Sequence, residues 1–141
     1  MIDTATETRS VIVEREIPFP PEKIWRALTQ PHLMEEWLMK SDFKPIEGHR
    51  FNLRRDPQPN VSVVVDCEVL AVEPNKTLSY TWAAYGLESV VTFTLTPTGT
   101  GTHLRMEQAG FRPDQQQAFQ GAKAGWHQFF SALEKLLARA D

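Results

Sequence analysis

Few residues in this 141-residue chain are equipped to do chemistry: four histidines, one cysteine, two tyrosines and one arginine set among valines. His32, His49, His103 and His127 show no His-x3-His spacing with a carboxylate beside it. They are expected at the surface, and no metal site is expected. Cys67 shares strand parity with Val63, Val65 and Val69, so it is expected to be a buried, inert thiol. Arg15 shares the parity of Val11 and Val13. A guanidinium pointing that way needs a carboxylate across the sheet end, or serves as an anchor for the polar head of a ligand. Tyr80 and Gln108 are the other polar candidates for orienting one end of a bound molecule. Asp66, Glu68, His103, Arg105 and Glu107 fall on the outward parity, so no catalytic acid–base pair is assigned.

The elements that position these residues follow from periodicity. Residues 10–17 alternate Val11 and Val13 against Glu14 and Glu16 and predict a strand. Pro18, Pro20 and Pro21 end it, and Pro21 suits the first turn of a helix over 21–29 carrying Ile24, Trp25 and Leu28. Pro31 separates that helix from a second, over 32–39, with Leu33, Met34, Trp37 and Leu38. Residues 43–46 and 49–55 are expected to form a hairpin about Gly48, and the two prolines of 56–60 a loop. Further strands are expected over 61–72, around Leu78, Tyr80 and Trp82, over 89–96 and over 102–108, with turns at 74–76, Gly86 and 99–101. This meander has one apolar and one polar face, as expected of an antiparallel sheet wet on one side. Its apolar face requires a cover.

Residues 113–140 supply that cover. Phe119, Ala122, Trp126, Phe129, Phe130, Leu133, Leu136 and Leu137 fall within an arc of roughly 120° at about 100° per residue. The expected class is therefore α+β, a helix-grip architecture in which a curved antiparallel sheet wraps a long C-terminal helix, with two short helices after the first strand. Trp25, Trp37, Tyr80, Trp82, Phe93, Met106, Phe119, Ala122, Trp126 and Phe130, with Arg15, Cys67 and Gln108, are the residues expected to line a cavity between helix and sheet. Gly121 and Gly125, each costing about 1 kcal/mol in a helix, imply either close approach of a neighbouring element or room left for a ligand. The first half of this helix is expected to be its mobile gate.

Composition narrows the class. Fifteen basic and 18 acidic side chains give a formal charge of -3, with no basic block of the kind nucleic-acid and anionic-membrane binders carry. No apolar run is long enough to span a bilayer, residues 1–10 lack the apolar core of a secretory leader, and a single cysteine suits the cytoplasm. One domain over 10–141 after a flexible segment 1–9, monomeric or weakly dimeric, is the expected organisation.

The residues also carry a resemblance. Arg15; Pro20-Pro21-Glu22-Lys23-Ile24-Trp25-Arg26-Ala27-Leu28-Thr29; Pro31; Trp37; Gly48-His49-Arg50-Phe51; Val72-Glu73-Pro74; Leu78-Ser79-Tyr80-Thr81-Trp82; Val91-Thr92-Phe93-Thr94-Leu95-Thr96-Pro97; Gly101-Thr102-His103-Leu104; Gly110-Phe111 and Gly125-Trp126 stand in the order and spacing of a known pattern. The chain resembles the START-like (SRPBCC) superfamily, also called Bet v 1-like, and within it the family related to the activator of the ATPase of the 90-kDa heat-shock chaperone. The resemblance implies the helix-grip fold and a hydrophobic cavity, but no single activity. The expected function is binding of a small hydrophobic molecule, lipid-like or of the aromatic polyketide or flavonoid kind. A chaperone partner role is the alternative, and a cyclase- or dehydratase-type enzyme has the least support; no cofactor is expected. Three positions depart from the family pattern: Leu38-Met39-Lys40 where Gly-Pro often stands, Cys67 in place of a glycine, and Gln108 in place of a histidine.

Overall fold

The structure is a computed structural model and describes residues 8–59 and 61–139. The expected flexible segment lies, for residues 1–7, outside the described residues, and the strand expected from residue 10 begins at Arg9. The chain runs β1 (Arg9–Ile17), α1 (Pro21–Thr29), α2 (Pro31–Trp37), β2 (Lys40–Ser41), β3 (Arg50–Gln58), β4 (Val61–Glu73), β5 (Thr77–Ala84), β6 (Leu87–Pro97), β7 (Thr102–Phe111) and α3 (Gln116–Arg139). The strands form one curved antiparallel sheet in the order β1-β7-β6-β5-β4-β3-β2. Consecutive strands pair except at one place, where β1 crosses to join β7, so that Arg15 lies opposite Leu104 and Val11 opposite Gln108. The inward parity of β1, β5, β6 and β7 is the expected one: Val11, Val13, Leu78, Tyr80, Val91, Phe93, Leu104 and Met106 are all buried.

The departures have local causes. Residues 43–46 do not form a strand. Pro45 supplies no N–H, Phe43 turns into the core, and the short pairing falls earlier, Lys40 against Arg54 and Ser41 against Leu53. β3 runs on through Pro57 to Gln58, because the register slips between Arg55 and Gln58 and leaves the proline in the irregularity; Asn60, the last residue of the expected loop, is outside the described residues. A second slip between Val69 and Ala71 sets Leu70 outside the pairing and brings Val72 opposite Leu78, so Val72 packs on the core while Leu70 is exposed. Simple alternation over 61–72 misses that flip. Pro31 opens α2 instead of separating two helices, and Gln30 serves as the C-cap of α1 and the N-cap of α2 at once. α2 ends at Trp37, short of the expected Met39; the Leu38 and Met39 N–H groups both donate to the Met34 carbonyl as the chain reverses into β2. α3 starts at Gln116 because residues 112–115 form a turn of their own, in which the Arg112 N–H donates to the Gln115 side chain.

The backbone of α3 lies against β1, β7, α1 and α2. Its second half is pinned by Trp126, Phe130, Leu133, Leu136 and Leu137, all buried, whereas its first half contributes buried Phe119 and half-buried Ala122. Close approach, expected of Gly121 and Gly125, is not the reason for these glycines: a Cβ on either would meet nothing within 4 Å. The glycine that does need its missing Cβ is Gly101, where one would overlap the Ile17 carbonyl oxygen and crowd Phe19.

These two situations have opposite consequences. Gly121→Ala and Gly125→Ala are expected to raise stability by about 1 kcal/mol each, through helix propensity alone. Gly101→Ala is expected to lower it by about 1–3 kcal/mol through overpacking. Urea melts of the three variants check this, and similar effects at all three positions would contradict the geometry.

Candidate functional site

The α3–sheet interface is an aromatic layer. β5 aims Tyr80 and Trp82 inward, β6 aims Phe93, α2 contributes Trp37 and α3 contributes Trp126. The Trp126 ring centroid lies 5.4 Å from Trp82, 5.9 Å from Phe93, 5.3 Å from Phe129 and 6.2 Å from Phe130. Tyr80 sits 6.1 Å from Phe93 and 5.2 Å from Phe51, which in turn packs edge-on against Phe43 at 5.1 Å. Most of these pairs are edge-to-face or tilted, the arrangement that the ring quadrupole favours.

A buried polar chain runs through this layer. The Trp126 Nε1–H donates to Gln108 Oε1 at 2.8 Å, Gln108 Nε2–H donates to Ser89 Oγ at 3.0 Å, and the Ser89 hydroxyl donates to the Trp82 carbonyl at 2.8 Å. Gln108 is 1% exposed and Ser89 6%. A glutamine this deep is tolerated because its amide has a partner on both ends. No described buried side-chain nitrogen or oxygen lacks a hydrogen-bond partner. Sequence reasoning named Gln108 and Trp126 but missed Ser89. The signal was present: Ser89 has the parity of Val91 and Phe93, and so points at the same face.

Most of the other residues expected to line a cavity meet around this layer. Met106 is buried beneath it, and Trp37 is held by its Nε1–H, which donates to the Ala27 carbonyl at 2.8 Å. Trp25 and Ala122 are half-buried and pack on the core. Phe119 packs edge-on against Phe111 at 5.5 Å, with the Arg9 guanidinium 4.0 Å from its ring centroid. Cys67 lies on β4 opposite Phe51 of β3 and is buried in the same core. Desolvation, with help from Asp66 and Asp42, pushes its thiol up to about 12. Burial, with Cys67 nearby, pushes the Tyr80 phenol well above its ordinary value. Both therefore stay protonated at neutral pH, and neither can accept a proton there.

Arg15 belongs to the edge of this arrangement. Its Nε lies 3.3 Å from Glu134 and its second terminal nitrogen 2.9 Å from His127 Nδ1, both on α3, while the first donates to the Glu14 carbonyl at 2.9 Å. Since arginine only donates, His127 accepts through Nδ1 and carries its proton on Nε2. Of the two roles open to Arg15, the partnered ion pair is the one seen: it straps β1 to α3. On the opposite, outer face of the sheet, hydrogen bonds that the protonated His103 ring donates to Glu16 and then to Glu14 raise its pKa. Among the described residues no group of three or more His, Cys, Asp or Glu side chains could hold a metal ion, and no helix is long and apolar enough to cross a membrane.

A seven-stranded antiparallel sheet gripping a long terminal helix, with aromatic side chains between them, defines a START-like protein of the SRPBCC superfamily. More narrowly, the chain belongs to the family of activator of Hsp90 ATPase homolog 1-like proteins, whose profile matches residues 18–138. Among solved structures it is similar to protein MLL2253 from Mesorhizobium loti, at 68% identity over 94% of this chain and 99% of the other, with a TM-score of 0.88. It is also similar to DynU16, a protein in the dynemicin biosynthetic locus, at 25% identity and a TM-score of 0.81, covering 94% of this chain but 48% of that one. CalU16 from Micromonospora echinospora is 26% identical over 94% of this chain and 78% of its own, with a TM-score of 0.77. No protein of curated function matches.

The polar chain makes a quantitative prediction. Gln108→Leu leaves the Trp126 N–H and the Ser89 hydroxyl short of a partner and is expected to cost about 1–3 kcal/mol. In that background the further change Trp126→Phe should cost less than it does in the unaltered protein, because the orphaned donor is removed with the indole. A double-mutant cycle by urea denaturation reads this coupling, and strict additivity would contradict it.

Proposed function

We propose that the chain binds a small, largely apolar molecule between α3 and the sheet, with the aromatic layer of Trp82, Phe93 and Trp126 as its contact surface. The observation that carries this reading is the uneven attachment of α3. Its second half is locked into the core, while its first half holds through Phe119, covered by Arg9, and half-buried Ala122, aided by two exposed contacts: Arg9 to Gln116 and, just before the helix, the Gln115 side chain to the Gly86 carbonyl. Lifting that half exposes aromatic surface together with the Gln108 and Ser89 side chains, a mostly apolar site with a few convergent polar groups. Burying about 300 Å² of apolar ligand surface would supply ~7 kcal/mol of gross driving force at about 25 cal/mol per Å². Ordering the ligand and closing the helix subtract from it. Similarity to a protein in the dynemicin biosynthetic locus supports a small-molecule ligand.

The test uses the neutral probe N-phenyl-1-naphthylamine. Saturable energy transfer from tryptophan to the probe is expected, reduced by Trp82→Phe. Amide hydrogen exchange over residues 116–125 should be faster than over 126–139 in the free protein and should slow when the probe binds. Uniform exchange along α3 with no saturable transfer would overturn the reading.

The family's description favours a second reading, action on the 90-kDa chaperone as a protein partner. ATP hydrolysis by the purified chaperone separates the two. No change is expected when the chain is added, and stimulation would move the assignment to that reading.

A further inference from the structure

A second concavity lies away from the aromatic layer, in the seam where α1 and α2 meet the end of α3. It has a volume of about 200 Å³. Its apolar side is made by Leu33 of α2 and by Leu136 and Leu137 of α3, and its rim carries Lys23 and Arg26 of α1 and His32 of α2. No acidic side chain lines it.

Lys23 and Arg26 share with Lys40, Lys44, Arg54, Lys123 and Lys135 the lack of a carboxylate within 4.0 Å among the described residues, but they stand together at the rim of an apolar hollow. Arg15, Arg50, Lys76, Arg105, Arg112 and Arg139 each sit within 4.0 Å of a carboxylate. Among the described residues neither Lys23 nor Arg26 does; the Lys23 ammonium instead lies 4.0 Å from the centroid of the Phe19 ring. They stand one turn apart on α1, so both side chains leave the same face of that helix, and the long, flexible Lys23 stem would have to swing its ammonium off Phe19 to reach a ligand in the seam. The leucines beneath them belong to the stripe that fixes α3, so the floor is rigid. The site therefore offers preformed apolar contact on one side and two unneutralised positive charges on the other.

We propose that this seam binds a small amphipathic anion of the medium-chain carboxylate class, its apolar end against Leu33, Leu136 and Leu137 and its carboxylate between Lys23 and Arg26. The volume is below that of sites for drug-sized ligands, which run from about 300 Å³ upward, so the occupant is a short chain or a single ring. A charge-assisted hydrogen bond from either cation fixes which end lies outward. This site is independent of the one between α3 and the sheet: it shares no residue with the aromatic layer and needs no movement of the first half of α3.

Octanoate, octanol and inorganic phosphate are the probes, followed by amide chemical shifts of the full chain. Octanoate is expected to give saturable shifts at Ala27, Leu33 and Leu136, while octanol and phosphate, each lacking one half of the chemistry, bind at least about fivefold more weakly. Lys23→Gln with Arg26→Gln should weaken octanoate to the level of octanol while leaving the thermal midpoint within a few degrees of the unaltered protein. Equal binding of octanol or phosphate, an unchanged octanoate affinity in the double variant, or shifts centred on Trp82, Gln108 and Trp126 would each overturn the proposal. Since N-phenyl-1-naphthylamine carries no charge and is read at other residues, either site can fail without the other.

Discussion

The structure depends on one side chain being accepted by two layers at once. Trp126 projects from α3 into the sheet, meets Trp82 and Phe93 with its ring, and hands its only hydrogen to Gln108. Removing a buried aromatic of this size typically costs about 3–5 kcal/mol, a large share of a domain's net stability. Because the ring contacts and the hydrogen bond must be satisfied together, they fix the rotation of α3 about its own axis as well as its distance from the strands. The buried glutamine is thus a constraint on orientation within an otherwise greasy contact.

The supports of that contact are graded along the helix. From Trp126 onward, buried leucines and Phe130 secure α3 against α1, α2 and β1, and Arg15 adds a strap to Glu134 and His127. Before Trp126 the helix is rich in alanine, glutamine and glycine, and Gly121 and Gly125 look onto open space. The gradient is not required by the fold, since alanine would fit at both glycines. The helix thus forgoes stability at two positions of its first half, the half whose opening the proposed ligand site requires.

Much of this was legible in the residues. The parity of Val11, Val13, Tyr80, Phe93 and Met106 and the stripe from Phe119 to Leu137 were enough to specify a sheet covered by its last helix. What escaped were the breaks in periodicity. The slip at Leu70 reverses the facing of Val72, and Pro57 rides inside a strand, because tertiary pairing on both sides outweighs the local signal. The two glycines of α3 could not be assigned from spacing, since close packing and empty space leave the same mark in a sequence. The role of Arg15 depended on where Glu134 would land, more than a hundred residues away, and nothing local reports that. The seam beside Lys23 and Arg26 is likewise a product of three helices meeting.

The crossover of β1 onto β7 has a kinetic consequence. Of the described strands, β1 is made before the others and pairs only with β7, which is made after them, and the helix that seals the core follows β7. Until then six strands, β2 to β7, can pair in sequence, but their greasy side stays wet. Such long-range closure places the chain among slow folders for its size, with an entropic toll collected before any reward arrives. During synthesis, a chain that has not yet reached α3 is a sticky, half-built object whose safety depends on how soon that helix follows.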